Sequence, residues 1–146
     1  MRKIICGLLC ICVLCGSCAC GKTENSKIQA DESTFLLNVT VDCEADVYTI
    51  HYEYYLGNTA IGGGTIRNAD HSPIKQGDTL TKEFIPDDFP KGADFENFRL
   101  ELYVVDEHND EYLCNKVIEF KAEYGKTYPI LITGSYKNGF SAQVKI

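Results

Sequence analysis

The sequence predicts an all-β fold, with one antiparallel β-sandwich of seven or eight short strands in residues 34–146. Apolar and polar residues alternate with a period of two in several runs, as they do in strands that bury one face. Clusters of glycine, proline, asparagine and aspartate separate these runs and indicate turns. No stretch shows the period of an amphipathic helix, so strands are expected to supply the whole core.

The first three strands follow one another closely. Residues 47–56 alternate, Gly57-Asn58 then turns the chain, and residues 60–66 form a third strand that contains three consecutive glycines. The first strand precedes them, and its apolar positions are Phe35, Leu37, Val39, Val41 and Cys43.

The second half of the chain continues the same pattern. Residues 98–105 are the clearest core strand because their alternation is strict, and Asn138-Gly139 suits the type I′ turn of a closing hairpin. Pro129 marks an edge strand or the start of a strand. The predicted strands of this half are residues 80–85, 98–105, 112–120, 128–133 and 140–146.

This architecture resembles the immunoglobulin-like and fibronectin-III-like sandwiches. The chain has no tryptophan, so the core tryptophan of true immunoglobulin domains is missing and the resemblance is architectural. Architecture of this kind implies nothing about function.

The N-terminus has the features of an export signal. Met1-Arg2-Lys3 is basic, and residues 4–14 are an unbroken run of apolar or small residues that is too short to span a bilayer. Small residues and cysteines follow, and in these first 22 residues the chain resembles bacterial lipoproteins.

The lipoprotein resemblance implies cleavage before a lipidated cysteine. Cys20, which follows Ala19, fits this role, and Cys18, which follows Gly16-Ser17, fits it nearly as well. Residues 1–20 are then the signal peptide and lipidation region, and the polar residues 21–33 are a flexible tether. The expected location is the outer face of a bacterial cell membrane, with plain secretion and an uncleaved anchor as alternatives.

Residues 16–23 also satisfy the nucleotide-binding pattern G-x-x-x-x-G-K-[ST]. That chemistry needs a helix whose N-terminus follows the loop, within a parallel α/β sheet. The polar residues 24–33 show no amphipathic period, and only β patterns follow them. We therefore assign these residues to the signal region.

The charge balance restricts the partners. Lysine and arginine number 14 against 21 aspartates and glutamates, a net charge of −7. Nucleic acids and anionic membrane surfaces require clustered basic residues, so neither is an expected partner. The membrane is expected to be reached through the N-terminal lipid, and the oligomeric state is left open.

Two cysteines belong to the folded domain, because the other six precede residue 21. Export permits oxidation, so Cys43 and Cys114 are a candidate disulfide worth about 4 kcal/mol in the chain-entropy model. The alternative is a pair of buried thiols that act as small apolar groups.

No catalytic, metal or cofactor site is predicted. The three histidines are scattered, no Gly-x-Ser-x-Gly occurs, and neither domain cysteine has an activating neighbour. The acidic turn at residues 106–111 matches no calcium-binding loop. The sequence therefore favours a protein without enzymatic activity.

Tyrosines are the best candidates for ligand contacts, because aromatic rings bind both sugars and proteins. Tyr55, Tyr103 and Tyr136 are expected to be exposed. The leading hypothesis is a membrane-anchored module that recognises a protein or glycan. The alternatives are an accessory component of a cell-envelope assembly and, more remotely, a hydrolase or metal site on the loops.

Overall fold

A computed structural model describes residues 28–145, which contain nine strands and one short 3-10 turn at Pro86–Asp88. The all-β class predicted from the alternation is confirmed. The strands are β1 (Phe35–Cys43), β2 (Thr49–Leu56), β3 (Thr59–Ile66), β4 (Thr79–Phe84), β5 (Phe98–Val105), β6 (Glu111–Leu113), β7 (Ile118–Phe120), β8 (Thr127–Ser135) and β9 (Gly139–Val144).

The strands form two sheets that enclose the core as a sandwich. The first sheet has the order β4-β1-β8-β9, and the second has the order β3-β2-β5-β6 with β7 also paired to β5. All neighbouring strands are antiparallel except β1 and β8, which run parallel from Leu36↔Thr127 to Cys43↔Gly134. The predicted antiparallel sandwich is confirmed, and the β1–β8 pair is its one parallel exception among the described strands.

The predicted strand at residues 112–120 is two strands, which raises the count above the expected seven or eight. Between β6 and β7 the chain leaves the second sheet and meets β9 of the first. Cys114 forms a parallel bridge with Phe140, and the Asn115 N–H donates to the Phe140 carbonyl over 2.9 Å. Pairing with the opposite sheet interrupts the strand there.

The core divides into an aromatic end and a thiol end. Phe35 opens β1 and is fully buried, with its ring centroid 4.9 Å from that of Phe84 and 5.4 Å from that of Phe98. Cys43, at the other end of β1, is buried at the opposite end of the sandwich. The full burial of large aromatic rings is the main favourable contribution at the first end.

The glycines of β3 make room for tyrosines of β2. A Cβ atom on Gly62 would lie 2.7 Å from the Tyr54 hydroxyl oxygen, and one on Gly64 would lie 2.7 Å from that of Tyr52. Both tyrosines are buried, as their inward positions in the alternation predicted. The glycines thus allow the bulky rings to fit beneath β3.

The closing hairpin does not use a type I′ turn at Asn138-Gly139. The Asn138 N–H donates to the Ser135 carbonyl over 3.2 Å, and of these two residues only Gly139 has a positive φ, at 80°. A turn over residues 135–138 followed by a left-handed glycine therefore joins β8 to β9. The loop is one residue longer than the two-residue turn that we expected.

The predicted signal peptide and both candidate lipidation sites, Cys20 and Cys18, lie outside the described residues. Of the predicted tether, residues 31–33 form a turn onto the sandwich, in which the Thr34 N–H donates to the Asp31 carbonyl over 3.2 Å. Within residues 28–145, no helix has the length and apolar character needed to cross a membrane.

Candidate functional site

The outward side of β2 and β5 carries a mixed aromatic and charged surface, which we call the outer face. Strand alternation sends Ile50, Tyr52 and Tyr54 into the core, so their neighbours in β2 point outward. Antiparallel pairing with β5 sets a fixed register across the face. Its residues are His51, Glu53 and Tyr55 from β2 and Arg99, Glu101 and Tyr103 from β5.

Two glutamates stand directly opposite each other at the centre of the outer face. Glu53 and Glu101 are cross-strand partners, an arrangement that like charges disfavour. The Tyr55 hydroxyl donates to Glu53 Oε2 over 2.7 Å and lies 3.5 Å from Glu101 Oε2, and the Tyr103 hydroxyl donates to Glu101 Oε2 over 3.2 Å. The tyrosines thus supply the two donors that stabilise the pair.

The carboxylates change the acidity of Tyr55 in turn. Its hydrogen bond to Glu53 raises the pKa of Tyr55 to about 12, with desolvation and the charge on Glu101 as further causes. No salt bridge among residues 28–145 involves Glu53 or Glu101. Apart from the two hydroxyls, the glutamate pair is therefore available to a cationic group.

The aromatic rings on this face turn towards one another. The His51 and Tyr103 rings are stacked, with centroids 5.1 Å apart and planes at 24°. The Arg99 guanidinium lies over the Tyr55 ring at 5.5 Å and donates to the Gly57 carbonyl over 3.1 Å. Each tyrosine ring thus has a neighbour against one face, and Tyr55 and Tyr103 are half-buried rather than exposed as predicted.

A shallow recess of about 290 Å³ opens from the outer face towards the edge of the sheet. Gly63 is the partner of Glu53 in β3 and has no side chain to cover it. Ala60, the partner of Tyr55, is also small. His51, Glu53 and Tyr55 form the inner wall of the recess, and residues of β3 form its floor.

Tyr136 lies elsewhere, in a larger cleft of about 1070 Å³ at the thiol end of the sandwich. Its hydroxyl donates to the Asp46 carbonyl over 2.7 Å, and its ring makes an edge contact with Tyr112 at 4.9 Å. Desolvation is the main cause that raises the pKa of Tyr136 to about 12. The side chain holds the last hairpin against a neighbouring loop, although 36% of its surface is exposed.

Cys43 and Cys114 are both buried free thiols at this end. Desolvation raises the pKa of Cys43 to about 11 and that of Cys114 to about 12, with nearby Asp42 and Cys43, respectively, as second causes. At neutral pH both thiols are protonated, so neither is an activated nucleophile. Their pairing as a disulfide stays a prediction.

The acidic turn after β5 uses its first carboxylate to organise its own backbone. Asp106 Oδ1 accepts the N–H groups of His108, at 2.8 Å, and Asp110, at 2.9 Å. These bonds, above all the one from Asp110, lower the pKa of Asp106. Across residues 28–145, no three His, Cys, Asp or Glu side chains form a metal-binding group.

The structure thus brings two of the three candidate tyrosines together. Tyr55 and Tyr103 share the outer face through Glu101, whereas Tyr136 belongs to the cleft. Glu53 and Glu101 were not among the sequence candidates. Their outward positions are visible in the alternation of each strand, but their opposition depends on the pairing of β2 with β5.

Comparison with known proteins gives no family for this chain. No protein-family model matches it, and no curated protein matches it. Among solved structures, it is similar to a chain in the structure of a disulfide-locked mutant of intermedilysin with human CD59, with a TM-score of 0.40 and 12% identity. The similarity covers 77% of this chain and 24% of that one, and at this TM-score it carries no argument about function.

Proposed function

We propose that the chain is an exported lipoprotein, anchored through Cys20 or Cys18 to the outer face of a bacterial cell membrane, whose sandwich is a non-catalytic module that recognises a partner protein. The basic, apolar and cysteine-containing segments of residues 1–22 support export and anchoring. The observation that supports recognition is the outer face, with its two tyrosines around an unneutralised glutamate pair.

Two features favour a protein over a glycan as the ligand. Tyr55 and Tyr103 are half-buried, with Arg99 and His51 against one face of each ring, so less aromatic surface is open to a sugar than on exposed rings. Leu113, the β6 partner of Tyr103, extends this face with an apolar side chain that is 54% exposed. Tyrosine, arginine and exposed aliphatic groups together are typical of protein interfaces.

Affinity capture with a matched pair of variants tests this proposal. The full chain in detergent is used as bait for envelope and secreted extracts, alongside Tyr55→Ala/Tyr103→Ala and Tyr136→Ala variants that retain the wild-type circular dichroism spectrum. We expect a saturable protein partner that the double variant fails to retain and the Tyr136 variant keeps. The same samples are applied to a glycan array.

Other results would redirect the proposal. Loss of the partner only in the Tyr136 variant would move recognition to the cleft. Binding to glycans without a protein partner would support the glycan alternative, and no retained ligand at all would contradict a recognition role.

An accessory role in an envelope assembly is the second candidate function. Leu113 and Val117, 54% and 44% exposed, flank the segment that crosses between the sheets. Exposed aliphatic side chains of this kind are buried in permanent assemblies. This role predicts a complex of fixed stoichiometry that survives size-exclusion chromatography and dissociates in a Leu113→Ser/Val117→Ser variant.

A further inference from the structure

The free edge of β3 carries no charged residue or proline to block an incoming strand. Native proteins guard exposed edges with charged residues, proline or covering segments, because an edge strand offers unpaired backbone groups to other chains. β4 carries Lys82 and Glu83, β6 carries Glu111, and β7 carries Glu119. β9 is met by the Asn115 N–H.

β3 itself spans eight residues and contains neither a charged residue nor a proline. A β-bulge interrupts its pairing with β2 between Ala60 and Gly62, so the regular part of its edge is residues 62–66. Among residues 28–145, its only strand partner is β2. In the described part of the chain, residues 59–66 make no backbone hydrogen bond outside that pairing. The outward edge of β3 therefore presents donors and acceptors to an incoming strand.

The recess beside β3 indicates the charge that an added strand would carry. Such a strand lies two strand spacings, roughly 10 Å, from β2. A side chain of the added strand beside Gly63 meets no side chain there, because glycine has no Cβ. It can therefore extend across β3 towards Glu53 and the cross-strand partner of Glu53, Glu101. The side chain of a lysine or arginine on the added strand and that of a glutamate on β2 or β5 are together long enough to meet across β3. The basic group would then form an ion pair with the glutamates, which have no salt bridge of their own among residues 28–145.

A second copy of this chain is a poor occupant of the same edge. Pairing of β3 with β3 would place an uncharged strand opposite Gly63 and would bring two acidic molecules of net charge −7 together. Charge complementarity instead selects a basic partner.

We propose that the edge of β3 binds an extended segment of the partner protein by strand addition, with a lysine or arginine of that segment beside Gly63. This inference rests on the proposed recognition function and names its mode and the chemistry of the partner. The backbone would supply affinity, and the glutamate pair would select the basic residue.

Binding of short peptides to the full chain in detergent tests the proposal. The probe is a fluorescent eight-residue peptide in which lysine alternates with valine and threonine. One control has glutamine in place of lysine, and the other is the lysine peptide N-methylated at every residue, which prevents strand pairing. We expect the glutamine peptide to bind about three- to fivefold more weakly, and the methylated one at least about tenfold more weakly.

Variants of the protein complete the test. Glu53→Gln should reduce the affinity for the lysine peptide to that for the glutamine peptide, whereas Glu83→Gln on β4 should change nothing. Amide hydrogen exchange should slow in residues 59–66 when the lysine peptide is bound, and this readout does not depend on any substitution.

Three results would overturn the inference: no binding of the lysine peptide at millimolar concentration, equal binding of the methylated peptide, or equal binding of the lysine and glutamine peptides. If a captured protein still depends on Tyr55 and Tyr103, the recognition function stands and only strand addition is wrong. If the lysine peptide does not bind and no captured protein depends on Tyr55 and Tyr103, both strand addition and the recognition function are wrong.

Discussion

Among single residues, Tyr55 is central to the outer face. Its hydroxyl bonds one glutamate and lies near a second, so ionisation would place three negative charges side by side. The hydrogen bond to Glu53 is the largest cause of its raised pKa. The pKa of Tyr55 is therefore higher in the folded protein than in the unfolded chain, where it is 10. The contribution of the protonated hydroxyl to the stability of the fold is complete below pH 10 and is lost as the pH rises towards 12.

We predict that Glu53→Gln lowers the pKa of Tyr55 towards the ordinary value of 10. The substitution removes the charge that opposes ionisation and weakens the hydrogen bond. Tyrosinate absorbance, followed as a difference from the Tyr55→Phe protein, isolates this one titration. Glu83→Gln, in the other sheet, is the control, and an unchanged pKa in Glu53→Gln would show that desolvation and the charge on Glu101, rather than Glu53, set it.

Among the elements, the β8–β9 hairpin depends on one glycine. Gly134 has a φ of 124°, and a Cβ there would overlap the Gly139 carbonyl oxygen and lie 2.9 Å from Phe140 Cα. These atoms belong to the paired backbone of β9, so they have little freedom to move. Gly139 also has a positive φ, but a Cβ at that position meets no other atom.

We predict that Gly134→Ala lowers the free energy of unfolding by about 2 kcal/mol or more, since backbone strain and steric overlap add. Gly139→Ala should cost only about 1 kcal/mol, the ordinary cost of left-handed backbone. Chemical denaturation of both variants measures the difference. Equal losses would mean that φ alone, without the close contact, decides the effect.

Local sequence determines some of these elements and not others. Residues 98–105 were predicted with the bounds of β5, because strict alternation is a property of the strand itself. The parallel pairing of β1 with β8 and the crossing at Cys114 arise from packing between distant segments, which no local pattern encodes.

The candidate site divides in the same way. Alternation placed Tyr55 and Tyr103 outside the core, but the opposition of Glu53 and Glu101 follows from the register of β2 on β5. A shift of one residue would have turned these side chains to the other face.

For the molecule as a whole, the two buried thiols report on the integrity of the sandwich. Cys43 belongs to the first sheet, and Cys114 follows the last residue of β6 in the second. Both are shielded from solvent and have raised pKa values. Reagents that need a thiolate can reach them only when the molecule opens.

We predict that neither cysteine is alkylated in the native protein at neutral pH and that both are alkylated in denaturant that contains a reductant. Mass spectrometry of the protein purified from its native cells, denatured with and without a reductant, measures this. Alkylation that requires the reductant would establish the candidate disulfide, and rapid alkylation of the native protein would contradict their burial.

In the proposed lipoprotein, the course of β1 decides which end of the sandwich is near the anchor. The strand starts at Phe35 in the aromatic end and finishes at Cys43 beside the cleft, so a tether on Cys20 or Cys18 joins the sandwich at its aromatic end. The cleft with Tyr136 is then farther from the attachment by roughly 30 Å, the length of β1. β3, which runs between the two ends, lies along the flank. Strand addition at β3, as proposed, would therefore leave the cleft with Tyr136 uncovered.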